Sequence, residues 1–476
     1  MTRTGRPTVV PALAVAGCLA ASLQVVAVGP ALAAVVSYSG ALPVVAGVEV
    51  VDRFPAVGAA LVRGDAGALS RLARSAGVRG ISPDAPVTMA GSKAATRDGG
   101  GVYASEGLDG QAGSPHAGRG VRVAVVDTGV SDSSVLSRAD GRLVDAADTS
   151  AVGDGGEVRT EGRFTDGFGH GTFMASLIAG GSVDGKGPRT GVAPGAQVLV
   201  VRVSRPDGTS SLSKVVAGLD WLAAHPSRVD VANLSFAHTR PMEAYGADPL
   251  TDAVERVRDA GVTVVVAAGN TPDEVGDPGF LPRALTVGAA DLTDTRASVA
   301  SFSGSATIHG VRKPDVVASG VGVLGVLPAD SVIARSSTST RTDGLWKGSG
   351  TSQATAVTSG LAALLLARHP SATPAQVKAS LRAAADDLEG RRDGAGLVST
   401  TTRLVSGPDG EALDGSGDDL TGEGSFQAST WGASSWGASS WGASTWARAS
   451  TWAASTWAAS TWATGRFRPA DDSDAS

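Results

Sequence analysis

The pattern of apolar and polar residues predicts an α/β domain in the middle of the chain. Mostly apolar, β-branched runs over Val121 to Val126 and Val264 to Asn270 are typical of strands that are buried on both faces of a parallel sheet. Leucines recur at helical spacing between Ala354 and Arg368, and a shorter apolar stretch runs from Met174 to Ala179. The pattern therefore favours the α/β class, with a parallel sheet flanked by helices.

A small α+β domain is predicted before the first of these buried strands. The segment is too long for a linker, and strand-like and helix-like stretches alternate in it. The strand-like stretches are Val48 to Val51, Ala59 to Val62, Val78 to Ile81 and Asp84 to Val87, and the helix-like stretch is Ala66 to Ala76.

Three short glycine-flanked segments supply an acid, a base and a nucleophile. Asp127 follows the first buried strand, His170 stands in Gly-His-Gly-Thr, and Ser352 precedes the predicted leucine-rich helix. A serine hydroxyl is a weak nucleophile until an imidazole accepts its proton, and the imidazole needs a carboxylate to fix its tautomer. We therefore expect Ser352 to act as nucleophile, His170 as general base and then acid, and Asp127 as the group that orients His170.

Asn270 ends the second buried strand and carries the side-chain amide that an oxyanion hole requires. We expect it to donate a hydrogen bond to the tetrahedral oxyanion, together with the backbone N–H of Ser352. The start of a helix at Ser352 favours the same negative charge. The predicted chemistry is nucleophilic acyl transfer.

Asp127, His170, Asn270 and Ser352, with the small residues around them, resemble the signatures of the subtilisin-like serine peptidases, the subtilases. The resemblance covers roughly residues 120 to 390, and four matches in the family's chain order are more specific than any single motif. It implies a serine endopeptidase that hydrolyses peptide bonds through an acyl-enzyme on Ser352. It also implies protein or peptide substrates and no cofactor for the chemistry. Structural calcium sites are dispersed in subtilases, so the sequence assigns no metal ligand.

The family resemblance also indicates the substrate-binding strand. Val231 to Phe236 resembles the strand that lines the primary specificity pocket and pairs with the substrate backbone, so Ser235, Phe236 and Ala237 are expected to bind substrate. The family usually has glycine after this strand, where this chain has Ala237 and His238. The extra methyl group would narrow the pocket and change substrate preference.

The N-terminus has the features of a secretion signal. Arg3 and Arg6 precede an apolar stretch, and Ala31-Leu32-Ala33 has the small-x-small form of a signal peptidase site. Residues 1–33 are therefore predicted to be a signal peptide, which makes the protein secreted, extracellular or associated with the cell wall. An uncleaved membrane anchor is one alternative. Lipid attachment at Cys18, in a lipobox-like Val-Ala-Gly-Cys sequence, is another.

The small α+β segment resembles the propeptide domain of secreted subtilases. The resemblance implies that residues 34–100 act as a folding template and as an inhibitor whose last residues lie in the active-site cleft until they are cut. The peptidase domain then covers residues 101–400. The alternative is a permanent N-terminal subdomain.

The net charge and the cysteine content argue against a nucleic-acid-binding protein and against a protein stabilised by disulfides. The formal net charge of the 476 residues is −6, with no basic patch, so nucleic acid is not an expected partner. The only cysteine is Cys18, which lies within the predicted signal, so the mature protein is expected to lack an internal disulfide.

The C-terminal end contains an internal repeat. Residues 401–425 are predicted to form a Gly/Asp-rich linker, and residues 426–476 a repeat tail in which tryptophan recurs about every five residues. We expect this tail to bind a cell-envelope glycan, because exposed apolar residues favour association. A structural cap on the peptidase domain and a low-complexity extension are the alternatives. The repeated residues are Trp431, Trp436, Trp441, Trp446, Trp452, Trp457 and Trp462.

Two other functions fit parts of the sequence. Ala237 and His238 at the expected cleft suggest a dedicated maturation protease with a single partner substrate. The tryptophan repeat suggests a cell-wall-binding protein built on a peptidase scaffold. Since all four expected catalytic positions are filled, the secreted serine endopeptidase is the favoured function.

Overall fold

The computed structural model describes residues 31–89, 102–104, 114, 116–185, 187–237, 248–294, 296–308, 310–337, 344–388, 390 and 392–399. Residues 1–30 of the predicted signal peptide, including Cys18, lie outside the described residues. So do His238, the predicted linker and the predicted repeat tail.

The described chain folds into strands and helices in the following order. The strands are β1 (Leu32–Tyr38), β2 (Val48–Phe54), β3 (Ala59–Gly64), β4 (Val78–Pro83), β5 (Pro86–Met89), β6 (Arg122–Asp127), β7 (Leu143–Asp148), β8 (Gln197–Arg202), β9 (Ser210–Ser211), β10 (Val231–Leu234), β11 (Phe236–Ala237), β12 (Thr263–Ala267), β13 (Leu285–Asp291), β14 (Ser298–Val299), β15 (Ala306–Ile308), β16 (Val311–Lys313), β17 (Val316–Ser319), β18 (Val323–Gly325) and β19 (Trp346–Gly348). The helices are α1 (Ala66–Ala73), α2 (His170–Ala179), α3 (Leu212–Ala224), α4 (Pro249–Asp259), α5 (Val332–Ser336), α6 (Thr351–Arg368) and α7 (Pro374–Ala383), with short 3₁₀ turns at Val183–Gly185 and Pro226–Arg228.

The central sheet has the order β14-β13-β12-β10-β6-β8-β7, with β17 beside β13. β14 is antiparallel to β13, whereas the other neighbouring strands run parallel. In β6, Val123 and Val125 face one hydrophobic cluster while Ala124 and Val126 face another, which is why no polar residue interrupts the strand. The predicted parallel sheet flanked by helices is confirmed.

Helices cover both faces of this sheet. α2, α6 and α7 contribute to the cluster on one face, and α3 and α4 contribute to the cluster on the other. α6 is buried on every side from Thr351 to Leu366, so it forms the centre of its layer. Among the described helices, none combines the length and the apolar character needed to cross a membrane.

A smaller α+β unit precedes the central sheet in the chain. Its antiparallel sheet has the order β2-β3-β1-β4, and α1 packs on one face of it. Alternate residues of β1 serve the two faces, because Val36 packs with α1 while Val35 packs in the cluster that contains α3 and α4. This unit is therefore joined to the larger domain by a continuous apolar core.

The boundaries of this unit differ in detail from those expected. α1 ends at Ala73 and not at Ala76, because the N–H of Arg74 already turns back to the carbonyl of Arg71. The predicted signal-peptide cut after Ala33 falls inside β1, where Leu32 and Ala33 pair with β3. The cleavage position stays a prediction.

Candidate active site

Asp127 and His170 form a buried pair at the carboxyl end of the central sheet. Asp127 is the last residue of β6, and His170 is the first residue of α2. The imidazole Nδ1 lies 2.8 Å and 2.9 Å from the two carboxylate oxygens of Asp127. Since an ionised carboxylate can only accept, Nδ1 carries the proton and Nε2 is left as the basic nitrogen. This is the tautomer that a general base requires.

Ser352 lies at the start of α6, which packs against α2. Its hydroxyl oxygen is 3.1 Å from the carbonyl oxygen of Ser235, the residue that follows β10. β10 lies next to β6 in the sheet, and Asn233 of β10 pairs with Val125 of β6. Ser235 lies two residues after Asn233, and Asp127 lies two residues after Val125. The sheet therefore brings the serine to the same edge as the Asp127–His170 pair.

Asn270 is held by the residue that precedes the serine. Its side-chain oxygen accepts hydrogen bonds from the backbone N–H of Thr351 at 2.9 Å and from the Thr351 hydroxyl at 3.0 Å. These two hydrogen bonds fix the orientation of the amide, whose nitrogen is the donor. Such a fixed donor suits an oxyanion hole, since it needs no reorganisation during the reaction. Thr351 was not singled out from the sequence, although it is adjacent to the serine.

A buried polar network links β10 to α6 beneath Ser352. The amide nitrogen of Asn233 donates to the Ser235 hydroxyl at 2.8 Å, and the Ser359 hydroxyl donates to the Asn233 oxygen at 2.9 Å. The Ser235 hydroxyl in turn donates to the carbonyl of Ser352 at 3.3 Å. Since the side chain of Ser235 binds α6, its expected role in substrate binding would use its backbone.

β5 is the middle strand of a short sheet with the order β11-β5-β9. Met89 pairs with Phe236 and Thr88 pairs with Ala237, so the chain of β5 runs toward Ser235. On its other edge β5 pairs with Ser210 and Ser211 of β9. Two of the three residues expected to bind substrate, Phe236 and Ala237, thus hold an extended segment of the chain itself.

Two carboxylates bind the small α+β unit to α3. Asp84 accepts hydrogen bonds from the backbone N–H and the hydroxyl of Ser213, at 2.7 Å and 2.8 Å. Asp220 accepts from the backbone N–H groups of Ala56 and Val57, at 2.7 Å and 3.1 Å. Burial raises the pKa of Asp84 and of Asp220 although these hydrogen bonds oppose the shift.

Two buried charge clusters lie outside this site. Burial opposes the ionisation of Asp148, but hydrogen bonds from Arg202, Ser150 and Arg159 outweigh it and lower its pKa to about 2. Asp315 binds both Lys313, at 2.8 Å, and Lys378, at 3.0 Å. Burial, together with the charge of Lys378, lowers the pKa of Lys313 to about 7 although Asp315 opposes this shift. No group of three or more His, Cys, Asp or Glu side chains in the described ranges is arranged to hold a metal ion.

Comparisons with known proteins find serine proteases that are similar to this chain. Serine protease AprX of Bacillus subtilis is 34% identical over 300 residues, a match that covers 59% of this chain and 65% of the relative. The extracellular serine proteinase of a Thermus species is 36% identical over 279 residues, which covers 58% of this chain and 57% of the relative. The chain thus spans less than two thirds of the length of these two relatives.

A solved structure supports the fold. Fervidolysin from Fervidobacterium pennivorans, a keratinolytic enzyme related to subtilisin, matches with a TM-score of 0.60 and 24% identity over 79% of this chain and 62% of that one. The model of the subtilase family matches residues 118–406, which is more than half of the 476 residues and includes Asp127, His170, Asn270 and Ser352. The chain belongs to the subtilase family.

Proposed function

We propose that this protein is a secreted serine endopeptidase that is made as a proenzyme. The observation that carries the proposal is the buried Asp127–His170 pair together with a serine, at the start of α6, that lies at the same edge of the sheet in a member of the subtilase family. The chemistry of this arrangement is acyl transfer to a serine hydroxyl.

Each residue has a defined part in the proposed reaction. The Ser352 oxygen attacks the carbonyl carbon of the scissile bond while its proton passes to Nε2 of His170. Asn270 and the backbone N–H of Ser352 donate to the oxyanion that forms, and Asp127 stabilises the imidazolium. His170 then gives its proton to the leaving amine, which departs as the new amino terminus. Water, deprotonated by His170, hydrolyses the acyl-enzyme and releases Ser352.

The pairing of β5 supports a proenzyme. An extended strand between β9 and β11 is the form in which a peptidase binds a peptide backbone, with main-chain hydrogen bonds on both edges. Because β5 runs toward Ser235 and the nucleophile, we propose that the chain is cut soon after Met89. The unit that contains β1 to β5 would then remain bound as an inhibitor until it is degraded.

Labelling with a fluorophosphonate probe tests the chemistry and the processing together. We expect the probe to label Ser352, and we expect a mature amino terminus between about residues 90 and 105, where the predicted propeptide ends. The Ser352→Ala chain should be neither labelled nor processed. An intact, unlabelled wild-type chain that hydrolyses no peptide would contradict the proposed function.

We also propose that the protein is secreted and that the tryptophan repeat attaches it to a cell-envelope glycan. A chain that ends near Gly424 should retain peptidase activity but lose its retention on the cell wall. Equal retention of the truncated and full-length chains would contradict the glycan-binding proposal and leave the peptidase unaffected.

A further inference from the structure

Asp166 is a buried carboxylate just before the helix that begins with His170. The residue is 2% exposed, and both of its carboxylate oxygens accept hydrogen bonds from uncharged donors. One oxygen accepts from the backbone N–H groups of Gly169 at 2.6 Å and Phe168 at 3.1 Å. The other accepts from the backbone N–H and the hydroxyl of Thr172, both at 2.8 Å. Asp166 thus caps the start of α2.

The cap is needed because the residue in the N-cap position has no side chain. Gly169 occupies that position with a left-handed backbone at φ 111°, and no side-chain hydrogen bond originates from it. Free N–H groups at a helix start need acceptors, and a carboxylate there also interacts favourably with the helix dipole. Asp166 supplies both functions from the preceding loop.

Thr128 connects this cap to the residue that orients the imidazole. Its hydroxyl donates to Asp166 at 2.8 Å and accepts from the backbone N–H of Gly171 at 2.9 Å. Its own backbone N–H donates to a carboxylate oxygen of Asp127 at 2.8 Å. Thr128 is therefore joined to the end of β6 through Asp127. It is also joined to the start of α2 through Asp166, which precedes His170, and through Gly171, which follows it.

The two elements approach so closely that their relative position has little freedom. A Cβ atom on Gly171 would lie 2.2 Å from the carbonyl oxygen of Gly129 and 3.1 Å from the Cβ of Asp127. Gly171 permits this close approach of α2 to β6, and the hydrogen bonds of the Thr128 hydroxyl fix the position of one element relative to the other. A displacement of about 1 Å in a reacting group can reduce an enzymatic rate by about a hundredfold.

We propose that Asp166 and Thr128 are positioning residues that hold the imidazole of His170 against Asp127. Neither residue takes part in the transfer of protons. The inference rests on the proposed peptidase function, because the rate of acyl transfer is what the positioning changes.

Substitutions at Thr128 give the sharpest test, since they remove the link and leave the carboxyl group of Asp166 in place as the cap of α2. We expect Thr128→Val to lower kcat by about tenfold to a hundredfold with KM changed less than about threefold, because ground-state binding does not depend on the imidazole. Thr128→Ser keeps the hydroxyl and should restore most of kcat. Thr128→Ala, which leaves room for a water molecule, serves as the second variant if the valine chain does not fold.

Thr149→Val is the matched control. Thr149 follows β7, two strands from β6, and its buried hydroxyl donates to the carbonyl of Lys214 in α3, at 2.7 Å, on the face of the sheet opposite to α2. The Thr149→Val variant should lower stability, as Thr128→Val does, but leave kcat unchanged. Rates are normalised to the concentration of active sites titrated with the fluorophosphonate probe.

The outcomes separate positioning from general stability and from the peptidase proposal. A Thr128→Val chain with wild-type kcat, or one that the serine variant does not rescue, would overturn the positioning role while the wild type remains an active peptidase. A wild-type chain without peptidase activity would overturn the proposed function and this inference together. A selective loss of kcat that Thr128→Ser restores supports the inference.

Discussion

Replacement of Asp84 by alanine tests how strongly the small N-terminal unit is bound to the peptidase. Asp84 lies in that unit, and its carboxylate accepts two hydrogen bonds from Ser213 in the first turn of α3. A hydrogen bond contributes about 0.5–1.5 kcal/mol after its exchange with water, and the larger value for bonds to charged groups does not apply because burial raises the pKa of Asp84. We take the net loss in Asp84→Ala as about 2 kcal/mol, which corresponds to about thirtyfold weaker binding of the cleaved unit.

The assay is the lag before full peptidase activity after processing, together with the inhibition that remains in the purified complex. Asp65→Ala is the matched control, because Asp65 caps α1 through the N–H of Ala68 at 2.7 Å, within the unit itself. We expect a shorter lag and weaker inhibition for Asp84→Ala than for Asp65→Ala. If the two variants behave alike, the contact with α3 does not determine binding and the reasoning is wrong.

Other predictions follow from the site and the charge clusters. Asn270→Ala should lower kcat by about 10²–10³ with little change in KM in steady-state assays, and a smaller loss would exclude the oxyanion role. On a Ser352→Ala background, which prevents autolysis, stability can be followed by denaturant unfolding against pH. The pKa of Asp148 falls from 3.8 to about 2, so its contribution to stability is present above 3.8 and is lost as the pH falls toward 2; Asp148→Asn should remove this acid-side slope. Folding lowers the pKa of Lys313 from 10.5 to about 7, so between these two pH values the unfolded chain binds more protons than the folded chain, and stability should rise with pH. Lys313→Met should flatten this rise. An unchanged slope would argue against the lowered pKa of Lys313. Asp315→Asn removes the anion that both lysines share and should cost about 3–5 kcal/mol.

The main strands and helices could be predicted because elements that are buried on all sides have sequences made almost entirely of apolar or small residues. β6 and α6 are covered on all sides, so their sequences contain long runs of apolar or small residues. Asp127 and Ser352 follow from these elements, since each lies at the end of one. The resemblance to the subtilases then implied the endopeptidase activity and the substrate-binding strand.

Residues that act through distant partners could not be predicted in the same way. Asp166 binds a hydroxyl 38 residues earlier in the chain, and Asn233 binds one 126 residues later. Contacts over such sequence separations produce no periodic pattern of residues, because they depend on how the folded sheet brings distant loops together. The pairing of β5 with β9 and β11 is also tertiary, and the sequence predicted only that a strand-like segment precedes the peptidase domain.

The short β11-β5-β9 sheet has a consequence for the kind of protein that can be cut. β9 and β11 are separated by the width of one strand, because β5 alone lies between them. Removal of β5 by the proposed processing would expose two edges of backbone hydrogen-bonding groups, and an extended chain would satisfy both of them whereas a helix or a closed hairpin would not. A folded protein would therefore have to open locally before it entered the slot. Its rate of digestion should then follow the free energy of that opening more closely than the side chains beside the scissile bond.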